Sequence, residues 1–273
     1  MALARIIRDV LSSGRTHRYG PDRSQRAELH LPAGRPASGA GGTHPVMILI
    51  HGGSWRKRYG KIVMRALAGD LARRGWAVWN IEYRRVGNGG GWPATFADVA
   101  AAIDHLDGLD APLDLTRVSA LGHSAGGHLA LWAAGRAKLP AGAPGAIEGA
   151  PRIRLQRVIS QAGVCDLAGA YRELDSAVGA LMGGAREQLP ERYAAANPIS
   201  NVPLEMPVLL VHGVLDETVS VRRSRDYAAA ALAGGGEVEL VEIEGEAGRH
   251  RAHIDPREAA WAVVTRWLSE PAG

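Results

Sequence analysis

Residues 118–135 read VSALGHSAGGHLALWAAG. Apolar Val118, Ala120 and Leu121 lead in, and Leu129, Ala130, Leu131 and Trp132 lead out with no glycine among them. Between them lies Gly122-His123-Ser124-Ala125-Gly126-Gly127. The pattern predicts a buried strand that turns sharply into a helix, with a serine at the bend. Such a bend exposes the hydroxyl, and small flanking residues let it close. The helix that starts there aims its N-terminus at the same point, which favours developing negative charge. G-x-S-x-G alone is a weak signal; the strand before it and the helix after it give it weight. The competing reading is a loop that happens to contain serine.

Working outward, strand-like and helix-like stretches alternate. HPVMILIHGG is a compact apolar run closed by glycines, and IVMRALAGDLARRG has helical spacing up to Gly75. WAVWNIEY is strand-like, and PATFADVAAAIDHLDGL opens with Pro93 and carries Phe96, Val99, Ile103 and Leu106 on one helical face. After the serine turn, QRVISQAG, MPVLLVHGV and VELVEIEG read as strands, and SVRRSRDYAAAALAGG and DPREAAWAVVTRWLSE as helices. QRAELHLP, residues 25–32, alternates like an antiparallel edge strand. This alternation predicts one α/β domain over residues 1–273 with a mostly parallel sheet covered on both faces. Residues 166–202 are irregular, the place for a small cap. The glycine- and alanine-rich patches 33–42 and 141–150 read as surface loops.

Composition bounds the function. The chain has 273 residues, 46% of them hydrophobic and 22% charged, an ordinary globular balance. Cys165 is the single cysteine, so no intrachain disulfide forms. The net charge of +4 invites a nucleic-acid reading, but the basic residues are scattered and no run of five like charges exists. The densest stretch, Arg56-Lys57-Arg58 with Lys61, reads as a solvated loop and helix start. No apolar run of 18 residues occurs, and the N-terminal apolar run is broken by Arg5, Arg8 and Asp9. The expectation is a cytoplasmic protein with neither a membrane nor a nucleic-acid partner. Its oligomeric state is not legible here.

In parallel sheets, ligands bind beyond the C-terminal strand ends. Besides Ser124, three such ends carry chemistry. In LIHGGSW, the glycines bring backbone N–H groups close to a ligand, and with the N–H of Ala125 these can bind an oxyanion. His51 there reads as a packed strand-end residue. In LLVHGVLDETV, Asp216 can orient a histidine, with Asp166 as a weaker rival and adjacent Glu217 pointing elsewhere. In GRHRAHIDP, His250 and His253 are both candidates to take the serine proton. No cluster of Cys, His or carboxylates has metal-ligand spacing, and no cofactor is expected.

HGGSW, GHSAGGHLALW, HGVLDETV and the His250 loop together resemble the α/β-hydrolase superfamily over nearly the whole chain. More narrowly they resemble an esterase/lipase group with kynurenine formamidases and bacterial feruloyl-esterase-like proteins. The order Ser124, Asp216, histidine matches. The resemblance implies Ser124 as nucleophile, Asp216 as acid, and oxyanion N–H groups at Gly53 and Ser54, with Gly52 shaping the turn. The group often has GHFDLIDP around its histidine. Matching HRAHIDP to it puts His250 on the catalytic position, with Arg249, Arg251 and Ala252 departing from the pattern. The implied reaction is hydrolysis of a small or aromatic carboxylic ester through an acyl-enzyme. The alternatives are an arylformamidase and, from another class, an inactive binding protein on the same fold. Trp55 and Trp92 are candidate walls of a substrate pocket.

Overall fold

The computed structural model describes residues 2–12, 14–34, 42–171 and 174–270. Among them run eight strands: β1 (Arg15–Arg18), β2 (Arg26–His30), β3 (His44–Ile50), β4 (Ala77–Ile81), β5 (Leu113–His123), β6 (Leu155–Gln161), β7 (Val208–Gly213) and β8 (Val238–Ile243). They form one sheet in the order β1-β2-β4-β3-β5-β6-β7-β8. β1, β2 and β4 pair antiparallel, and all remaining pairs are parallel. The helices are α1 (Ala2–Leu11), α2 (Arg65–Arg73), α3 (Ala94–Asp104), α4 (Ala125–Ala134), α5 (Leu167–Ala170), α6 (Asp175–Met182), α7 (Pro190–Ala196), α8 (Arg222–Ala233) and α9 (Ala259–Ser269). None is long and apolar enough to cross a membrane.

Side chains alternate across a strand, so each central strand feeds two cores. Val46, Ile48 and Ile50 of β3 face one side, where Phe96 of α3, Leu129 and Trp132 of α4 and Tyr227 of α8 pack. Met47 and Leu49 face the other, with Leu67 and Leu71 of α2 and Trp261 and Val264 of α9. β5 and β7 divide in the same way: Ala120 and Leu210 on the first side, Leu121 and Leu209 on the second. These unbroken apolar runs mark strands buried on both faces, and the sheet is mostly parallel and covered on both sides, as expected.

Two local expectations are corrected. β2 is not the edge strand, because β1 pairs outside it. RTHR is too short and polar to announce itself. Lys61 is not solvated: it is 5% exposed and its ammonium lies 2.8 Å from the buried Glu28 carboxylate, which Arg65 also holds at 2.6 Å. The expected loop at 141–150 is a run of turns; most of the one at 33–42 lies outside the described residues.

Candidate active site

β5 ends at His123 and α4 begins at Ala125, leaving Ser124 alone at the bend. Its backbone sits at φ 56° and ψ −121°, a conformation side-chain-bearing residues rarely adopt. Neighbouring backbone holds it there. The Ser124 N–H donates to the Gln161 carbonyl at 2.9 Å, and the Ser124 carbonyl accepts from His128 N–H at 3.1 Å. The flanking glycines are required by contact: a Cβ on Gly122 would lie 1.9 Å from the Gly126 carbonyl oxygen, and one on Gly126 2.0 Å from that of Ile50.

Two other strand ends converge on this bend. A tight turn over His250–Ile254, after β8, brings His250 Nε2 to 2.9 Å from Ser124 Oγ. His250 Nδ1 lies 2.7 Å from Asp216 Oδ2, beyond β7. A serine hydroxyl donating to Nε2 and an Nδ1–H donating to the carboxylate satisfy both ring nitrogens of a neutral imidazole. Asp216 Oδ1 accepts from the N–H groups of Thr218 and Val219 at 2.8 and 3.0 Å. Burial alone would raise the Asp216 carboxyl; hydrogen bonds from His212 and His250, with the Val219 N–H, outweigh it and hold the group well below the ordinary carboxylate range.

The second candidate base is elsewhere. His253 is fully buried, and neither ring nitrogen has a side-chain or backbone partner within hydrogen-bonding geometry. Burial, with the nearby His212 and His250, lowers its pKa to about 3, so the ring is neutral at pH 7. His123 is engaged away from the serine hydroxyl. Its Nε2 donates to the backbone carbonyl of His250 at 2.9 Å, and burial holds it well below its usual value. Asp166 caps α5 through the Gly169 N–H and pairs with Arg223, and Glu217 is exposed.

The glycine-rich loop after β3 lies against the serine. A Cβ on Gly52 would be 2.9 Å from Ser124 Cβ and 2.6 Å from the His123 carbonyl oxygen. Gly53, Ser54 and Trp55 follow with φ of 118°, 51° and 54°. One contact was not legible from HGGSW: His51 Nδ1 lies 2.7 Å from the Gly52 carbonyl oxygen, while its Nε2 lies 2.8 Å from Glu82. The Gly52 carbonyl and the Gly53 N–H belong to one planar peptide and point in opposite directions. Holding the carbonyl therefore aims the N–H of Gly53.

The tryptophan expectations fare differently. Trp55 is a core residue, 1% exposed, its ring edge-on to His128 at 5.2 Å. Trp92 is half-buried against Phe96, and its backbone N–H donates to the Leu181 carbonyl of α6 at 2.7 Å. The described residues of 166–202 include α5, α6, α7 and a tight turn over Pro198–Asn201, and α7 is anchored on α4 through His128 to the Ala196 carbonyl and Trp132 to that of Ala195. A cavity of about 890 Å³ lies at the opposite end of the sheet, lined by Arg8, His44, Gly75 and Arg117, away from every candidate residue. Among the described residues no group of His, Cys, Asp and Glu could hold a metal ion.

A mostly parallel, two-sided sheet with a serine, a carboxylate and a histidine beyond the C-terminal ends of β5, β7 and β8 defines an α/β-hydrolase. Comparisons agree. Residues 35–230 match the model of the BD-FAE family, and the chain belongs to that family. It is 32% identical over 217 residues to esterase LipQ of Mycobacterium tuberculosis, covering 77% of this chain and 51% of the relative. It is 28% identical over 241 residues to the probable carboxylic ester hydrolase LipM of that organism, covering 83% and 53%. The chain thus spans about half the length of the curated relatives it matches. Among solved structures, a truncated carbohydrate esterase from gut microbiota superposes with a TM-score of 0.79 at 21% identity, covering 94% of this chain and 96% of that one. Esterase B from Lactobacillus rhamnosis gives 0.77 at 21%, covering 97% and 89%. These two show the shared fold.

Proposed function

We propose that the protein is a serine carboxylesterase that cleaves small or aromatic esters through an acyl-enzyme. The observation that carries this reading is the continuous line Ser124 Oγ, His250, Asp216, with spacings of 2.9 and 2.7 Å. His250 takes the proton as Ser124 attacks the ester carbonyl. The backbone N–H groups of Gly53, Ser54 and Ala125 stabilise the oxyanion, each such donor contributing roughly 3 to 4 kcal/mol in comparable sites. Gly52 sets the loop against the serine. His250 then protonates the leaving alcohol, and a water activated by the same ring releases the acid. Asp216 keeps the imidazole in the tautomer whose Nε2 faces the serine. The esterase names of the relatives favour an ester over the formamide alternative.

A fluorophosphonate probe tests the reading: it is expected to label the wild type at Ser124 and leave Ser124→Ala unlabelled. Turnover of short p-nitrophenyl esters should exceed that of an aryl formamide. The reverse ranking would move the assignment to a formamidase, and an unlabelled wild type to a binding protein.

A further inference from the structure

Four cations that the sequence scatters meet in one place. Arg23, Arg26, Lys57 and Arg85 line a recess of about 270 Å³ beside the loops that follow β3 and β4. Glu82 is the one carboxylate among the lining residues, and it is already engaged by His51 at 2.8 Å and Arg85 at 3.0 Å. Among the described residues, the side chains of Arg23, Arg26 and Lys57 form neither an ion pair nor a hydrogen bond with protein. Arg85 is 7% exposed; its Nη1 bonds Glu82 and the Tyr59 carbonyl, while its Nε is buried with no partner. Like charges gathered around one hollow repel one another, and a buried donor without an acceptor costs free energy. The gathered positive charge is met by one ligand chemistry: an anion with several acceptor oxygens, which guanidinium and ammonium groups bind through charge-assisted hydrogen bonds.

We propose that this recess is an oxyanion-binding site for a phosphate or carboxylate group, separate from the serine site. It is tied to that site by contact. Arg85 holds Glu82, Glu82 holds His51, and His51 holds the Gly52 carbonyl beside Ser124. The anion is either a free ion or the charged end of an ester substrate reaching back from the serine.

The test is calorimetric titration of the full chain with inorganic phosphate, against chloride at matched ionic strength. Saturable binding is expected. The double variant Arg26→Gln/Lys57→Gln changes only exposed side chains and should weaken it by roughly tenfold. Arg58→Gln, outside the recess lining, should bind like the wild type. Absence of saturable binding, or equal binding by the double variant, overturns the site. Binding is read without turnover, so the result stands apart from the esterase assignment. A second arm separates the sources. If phosphate competes with a carboxylate-bearing ester but not with its neutral isostere, and the double variant raises KM for the charged ester alone, the group belongs to the substrate. If both esters are hydrolysed alike while phosphate is bound, the ligand is a free anion.

Discussion

The turn that carries Ser124 and the turn that carries His250 meet at two hydrogen bonds, Ser124 to the His250 ring and His123 to the His250 carbonyl, but are built differently. The serine turn is compact in sequence. Gly122 and Gly126 crowd each other within six residues, seated against the end of β3 and the Gln161 carbonyl. The histidine turn owes its position to distant groups. A Cβ on Gly248 would lie 2.3 Å from the Ile243 carbonyl oxygen, one on Gly213 1.6 Å from that of Gly248, and His123 holds the His250 carbonyl. The first region carries its glycines and serine in one short stretch; the second shows no such pattern and takes its register from Gly213, Ile243 and His123. The contrast repeats within the second turn, where His250 has a partner at each nitrogen and His253 has none.

The sharpest way to break the second contrast is to remove each histidine in turn. His250→Ala should lower kcat on a short p-nitrophenyl ester about a million-fold, as Ser124→Ala should, because these groups act as a unit. His253→Leu keeps a buried apolar volume and should stay within roughly tenfold of wild type. Equal losses from both histidine variants would show that the turn, rather than the base, was lost. Next in size, Asp216→Asn should cost about ten-thousand-fold in kcat, since the amide favours the wrong imidazole tautomer. A steady-state assay that found KM raised and kcat intact would assign Asp216 to binding instead.

This contrast also explains what could be read before the structure. The parallel sheet was legible because β3, β5 and β7 are buried on both faces and so read as unbroken apolar runs. β1 was missed because RTHR lies on the sheet edge, where nothing selects apolar residues. Ser124 and Asp216 could be singled out in the sequence because each follows a strand end at close range. The choice between His250 and His253 rested on resemblance, since the turn's register depends on contacts with Gly213 and His123. The burial of Trp55 was not legible because a tryptophan beside a glycine loop looks the same in sequence whether it lines a pocket or fills a core. The ring of Arg23, Arg26, Lys57 and Arg85 was invisible, its members being spread over 63 positions, from 23 to 85.

The serine turn yields to a smaller perturbation, read as stability. Gly122→Ala places a methyl 1.9 Å from a backbone oxygen with no flexible side chain to move. A loss of about 3 kcal/mol or more in urea denaturation is expected, of the size of severe overpacking. Gly75→Ala is the control: it adopts φ 95° but has open space around it, so only backbone strain, about 1 kcal/mol, applies. Similar costs at both positions would show that crowding is not what selects glycine at the bend.

The smallest effect probes His253 through pH. Its folded pKa of about 3 lies below the ordinary histidine value of 6.5. Between those values the unfolded chain holds a proton that the folded chain excludes. Stability from keeping this ring neutral is therefore complete above pH 6.5 and is lost as the pH falls toward 3, at up to about 1.4 kcal/mol per pH unit. His128, lowered to about 4 by burial, adds to the slope in the same direction, and the Asp216 carboxylate adds its own loss below its ordinary range. His253→Leu should remove one proton's worth of that slope between pH 6 and 4 and leave the rest. Urea midpoints at pH 7, 6, 5 and 4 measure it. An unchanged slope would place the His253 ring in contact with water, and the contrast between the two histidines of the turn would then be one of reach to the serine alone.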